Sequence, residues 1–86
     1  MANGARIFTF PRRPDSAQAQ ERQALLESMH ETRQMINRAY TGFNAVEDPD
    51  LIEAYVYEIN SLQARYSYLL RQVKAMEDQA TAAAAP

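Results

Sequence analysis

The sequence has no cysteine, a single histidine and only two glycines among its 86 residues, and it contains no long apolar run. Without cysteine there is neither a disulfide framework nor a cysteine-ligated metal site. Two glycines leave no glycine-rich loop to cradle a phosphate. No apolar stretch approaches the roughly 20 residues needed to span a bilayer. The first fourteen residues lack the apolar core of an export signal. Arg12-Arg13 precedes Pro14, Asp15 and a polar stretch instead of an apolar segment, so it does not read as a twin-arginine signal. The expectation is a cytoplasmic protein with no transmembrane segment. A charge excess is also missing, because nine basic and eleven acidic residues leave a net charge of −2. A dedicated nucleic-acid binder usually carries a clear basic surplus. A chain of this length makes one domain at most and buries a small core.

What the sequence does have is helical rhythm. In the stretch 48–76 the apolar residues Ile52, Tyr55, Ile59, Leu62, Tyr66, Leu69, Val73 and Met76 follow steps of three and four. That is the a/d pattern of a helix packed along a seam. Asp48 is a suitable N-cap, and Pro49 suits the first helical position, where no amide donor is needed. Asp50 and Glu53 match the positive end of the helix dipole, and Arg71 and Lys74 match the negative end. Upstream, Leu25, Met29, Ile36, Ala39 and Phe43 repeat the pattern, with Thr32 filling one seam slot. Leu26 and Tyr40 widen this stripe on one flank and Met35 on the other. Asp15 or Ser16 is the expected N-cap of this first helix, and Gly42 is expected to weaken its last turn.

Residues 44–47 join the two helices. So short a connection cannot carry the chain back, so the helices are expected to be antiparallel neighbours. The predicted fold is all-α, an antiparallel two-helix hairpin of coiled-coil type. The predicted organisation is an arm over 1–14, a hairpin over 15–78 and an alanine-rich tail over 79–86. Helix one should occupy about 16–44 and helix two about 49–77. In this arrangement Arg38 is expected near Asp50 and Glu53. Glu21, Glu27 and Glu31 are expected toward the end that holds Arg65, Arg71 and Lys74. The tail should fray into disorder, since a short alanine run with nothing to pack on is not a stable helix.

Two surfaces are candidates for contact. Opposite the seam of helix two lie Tyr57, Ser61, Ala64 and Tyr68, bordered by Arg71. Solvated helix faces usually carry Lys, Glu and Gln, whereas tyrosine supplies large contact area and is common at interfaces. Exposed tyrosines also occur without any partner. On the flanks of the seam, Leu51, Val56 and Leu70 would stay wet in a lone hairpin, and a second hairpin would bury them in a four-helix bundle. These three form the candidate self-association edge. The arm carries Arg6, Phe8, Phe10, Arg12 and Arg13 with no acid, and Pro11 and Pro14 exclude a helix there. It reads either as a disordered tail or as a docking segment for a partner, an acidic surface or anionic lipid.

Little here reads as chemistry. Glu27-x-x-His30 has the spacing used in carboxylate-bridged di-iron bundles, but such a site needs a second histidine and inward-facing residues. Both residues fall on the polar face of helix one. No nucleophile sits in a recognisable context, and a hairpin offers no pocket to perturb a carboxylate. No catalytic, metal-binding or cofactor-binding residue is assigned, and no cofactor or small-molecule substrate is expected.

Asp48-Pro49-Asp50-Leu51-Ile52 opens helix two, Tyr55 and Tyr57 follow a turn later, and Arg65-Tyr66-Ser67-Tyr68-Leu69-Leu70-Arg71 lies near its end. This run is similar to the signature part of the YaaL-like family, small bacterial proteins with a domain of unknown function. The resemblance covers the second half of the chain, and helix one only by pattern. It reaches neither the Phe8/Phe10 arm nor the alanine-rich tail. It implies a cytoplasmic two-helix protein with no assigned activity and no catalytic residues, of a kind typically encoded near recombination and DNA-maintenance genes. The expected function is a protein–protein interaction or scaffold module that forms a homodimer or binds another protein. The alternative is an accessory factor for nucleic acid or DNA maintenance, using Arg6, Arg12, Arg13 and the arginines of helix two.

Overall fold

The computed structural model describes residues 14–84, with side-chain surroundings for 17–82. The arm, with its candidate residues Arg6, Phe8, Phe10, Arg12 and Arg13, lies outside the described residues. Two helices make up the fold, α1 (Pro14–Ala45) and α2 (Pro49–Ala84), and they pack against one another as an antiparallel hairpin.

The helices meet along the seam that the spacing predicts. Ala39, Ile59 and Leu62 form the buried cluster, and Ile36, Phe43 and Tyr55 pack against it. Leu69 and Val73 continue the buried line toward the open end. Thr32 occupies a seam position at 2% exposure. Its hydroxyl donates to the Ser28 carbonyl oxygen at 2.7 Å, so a polar side chain is tolerated in an apolar seam.

The turn is three residues, 46–48, and no residue there or elsewhere in the described chain has a positive φ. Asp48 ends the turn as the N-cap. Its Oδ1 accepts from the amides of Asp50 at 2.8 Å and Leu51 at 3.3 Å, and its carbonyl accepts the first helical bond from Ile52 at 2.9 Å. These are the donors that a helix start leaves without a backbone partner.

Both helices differ from expectation at the open end. α1 starts at Pro14, so Asp15 and Ser16 lie inside the helix and neither is its N-cap. Proline fits the first helical position, where its fixed φ is helical and its missing N–H is not needed. α2 does not give way to a tail at 79 but continues to Ala84. Each added alanine extends an existing helix and incurs no new nucleation cost, and alanine has the highest helix propensity.

Gly42 has a second role beyond weakening a turn. A Cβ on this residue would stand 2.6 Å from Cε1 of Tyr55 and nearer still to Cζ and the hydroxyl. The absent side chain makes room for the Tyr55 ring between the helices.

Candidate interaction surface

The register of the hairpin follows from two cross-helix contacts. Arg22 pairs with Glu77 at 2.9 Å, and the Arg33 guanidinium donates to the Tyr66 hydroxyl while lying 5.4 Å from its ring centroid. Eleven residues forward along α1 thus match eleven residues back along α2, about three turns on each helix. Carried toward the open end, the same register sets Ala17 level with Ala82. Nearer the turn, Gly42 stands against Tyr55. The expected pairing of Arg38 with Asp50 and Glu53 does not form. Glu21, Glu27 and Glu31 do lie toward the end that holds Arg65, Arg71 and Lys74, but they make no ion pair with these three among the described residues. Glu27 instead accepts from Gln23 on its own helix at 3.3 Å.

A third contact, Gln63 donating to the Tyr40 hydroxyl at 3.3 Å, falls on the same side as the other two. On α1, Arg22, Arg33 and Tyr40 are spaced by eleven and seven residues, close to whole numbers of turns. On α2, Val56, Gln63, Leu70 and Glu77 are spaced by seven. One border of the seam therefore carries Val56, Leu70 and Tyr40, exposed by 40, 41 and 43%. Leu26 and Met29 border the same side and are half-buried. With His30, Arg33 and Tyr66 they line a shallow, open depression of about 190 Å³.

The candidate self-association residues do not form one edge. Leu51, 50% exposed, stands five residues before Val56 and so about 140° around the helix. It belongs to the opposite border, with Glu58, Arg65 and Gln72 at seven-residue steps and Met35 across from them on α1. That border is mostly polar. The apolar border is the one with Val56 and Leu70.

The tyrosine face is a separate surface. Tyr57 and Tyr68 are 66% and 51% exposed, and Ser61, Ala64 and Arg71 are exposed beside them. Glu27 and His30 are exposed on α1, and no group of three or more metal-ligating side chains comes together among the described residues. No described helix is long and apolar enough to cross a membrane.

The cross-helix polar contacts and the close approach of Gly42 to Tyr55 were not read from the sequence. Their signal was there in the heptad spacing of Gln63 and Glu77 with Val56 and Leu70. It becomes legible only once the antiparallel register is known.

The fold defines a class, that of small antiparallel helical hairpins. Within it, the chain belongs to the family described as "Protein of unknown function (DUF2508)", which matches residues 7–77. The match is wider than the resemblance carried by helix two. It takes in all of α1 and also Phe8 and Phe10, while the alanine-rich end falls beyond it. Neither a curated protein nor a solved structure matches the chain.

Proposed function

We propose that the protein is a non-catalytic interaction module whose hairpin associates with a second copy of itself through the border that carries Val56 and Leu70. The observation that supports this reading is the apolar character of that border beside a core only one seam deep. Burying exposed aliphatic surface is favourable by about 25 cal/mol per Å². A two-helix seam has no third layer to do so within one chain. The tyrosine face around Tyr57 and Tyr68 stays free in this arrangement for a different protein. The reading includes a cytoplasmic location, testable by cell fractionation.

The test is light scattering on a sizing column at tens of micromolar. Assembly above the monomer mass is expected. A well-folded monomer would remove self-association and leave the border to another protein. The runner-up, an accessory factor for nucleic acid, draws on Arg6, Arg12 and Arg13. It predicts a salt-dependent shift of DNA in a gel.

A further inference from the structure

A hollow and a knob occur on the same apolar border. The depression of about 190 Å³ is lined by Leu26, Met29, His30 and Arg33 of α1 and by Tyr66 of α2. It is somewhat larger than the roughly 150 Å³ that removal of one leucine side chain can leave. Arg33 and Tyr66 hold each other in place through their hydrogen bond and the guanidinium–ring contact. The knob is Leu70, 41% exposed. It stands one turn beyond Tyr66 on α2, as Met29 stands one turn before Arg33 on α1, so Leu70 and Met29 share a level. Leu70 does not line the depression of its own chain. Each chain thus carries a hollow on one helix and, at the same height on the other, an uncovered leucine.

We infer that the second copy lies parallel, turn beside turn, with α2 of each copy on α1 of the other and each Leu70 seated in the other's depression. The inference rests on the self-association reading and specifies its geometry. A two-fold axis along the hairpins keeps every residue at its own level. Each Leu70 then meets the hollow at its own height, and the contact is made twice, as an isologous interface requires. Close packing favours a knob in a hole over two knobs tip to tip. An antiparallel copy centred on the border would set Leu70 against Val56, which protrudes to the same degree. It would leave the hollow to Tyr40, whose hydroxyl already accepts from Gln63 of its own chain. The seven-residue spacing of Val56, Gln63 and Leu70 allows either orientation, and the hollow favours the parallel one. Charge fits it too. Lys74 stands one turn past Leu70, and Glu27 and Glu31 line a second hollow that shares Leu26 and His30 with the first. None of these three has an ion-pair partner among the described residues. In the parallel pair, Lys74 of each copy comes to the level of Glu27 on the other.

The sequence has no cysteine, so single introduced cysteines report contacts between copies. Four full-length chains carry His30→Cys, Val56→Cys, Leu70→Cys or Glu47→Cys. Two equimolar mixtures are oxidised at tens of micromolar, and mixed disulfide dimers are identified by mass. His30→Cys with Leu70→Cys should crosslink about tenfold faster than Val56→Cys with Leu70→Cys. A disulfide needs Cβ atoms about 4 Å apart, and in a parallel dimer the second pair is separated by about 21 Å along the axis. Nitroxides on Glu47→Cys give a second measurement that leaves the border untouched. They should lie about 10–20 Å apart across adjacent turns. An antiparallel dimer would separate them by on the order of 45 Å. Equal or faster crosslinking of the Val56→Cys mixture, or the long nitroxide distance, overturns the parallel inference alone. A wild-type monomer in light scattering overturns the self-association reading with it.

Discussion

At the scale of single residues, two positions decide how the helices meet. Gly42→Ala would ordinarily stabilise a helix by up to about 1 kcal/mol. Here the added methyl meets the Tyr55 ring, and overpacking of this kind typically costs about 1–3 kcal/mol. A net loss of stability is expected in urea titrations. A variant more stable than wild type would show that the ring moves aside freely. Asp48 is the second position. Asp48→Ala removes an N-cap that accepts two amide hydrogens, and about 1 kcal/mol should be lost. Asp50→Ala should lose less, since no cross-helix or capping bond of its side chain is seen and only its charge near the dipole is removed. Reversal of that order would place the start of α2 later than Pro49.

At the scale of the elements, the seam outweighs the polar contacts at its borders. Ile59 is buried between the helices at the centre of the core cluster. Ile59→Ala should cost about 2–4 kcal/mol in a thermal or chemical melt. Arg22→Ala breaks the Arg22–Glu77 pair, but both side chains are about half exposed, and such pairs contribute about 1 kcal/mol or less. If the two substitutions prove equally costly, hydrophobic packing is not what joins the helices. The last two turns of α2 depend on alanine propensity instead of packing. Ala80→Gly with Ala82→Gly should lower helicity measured by circular dichroism and leave the melting temperature nearly unchanged. A large drop in melting temperature would mean that this end packs against α1 more firmly than its exposure indicates.

At the scale of the whole molecule, the two borders of the seam should behave differently. Val56→Glu with Leu70→Glu places charge on the apolar border and should give monomers in light scattering. Leu51→Glu changes the polar border and should leave the assembly intact, as should Tyr57→Ala with Tyr68→Ala on the outer face. Loss of assembly with Leu51→Glu would move the contact to the other border. Loss with the tyrosine pair would move it behind the seam.

Secondary structure and seam were legible from spacing, because side chains three and four residues apart share a helix face whatever the helix packs on. Ile52, Tyr55, Ile59, Leu62, Tyr66, Leu69, Val73 and Met76 all lie buried or half-buried in the structure, as that rule requires. The Asp48 cap and the antiparallel turn were legible for equally local reasons. Register was not. The pairing of Arg38 with Asp50 failed because opposite charges on outer faces do not set the axial alignment of two helices. That alignment is set by how Ala39, Ile59, Leu62 and the Gly42–Tyr55 approach interlock. The composition of the flanks could be counted from the sequence, but sorting Leu51 from Val56 and Leu70 needed the contacts across the hairpin. The ends of the helices were misread at Pro14 and beyond 77, where side chains 77–82 are exposed and alanine propensity extends the backbone of α2. Local periodicity belongs to the chain itself, whereas register and the chemistry of a border arise only when two helices are fitted together.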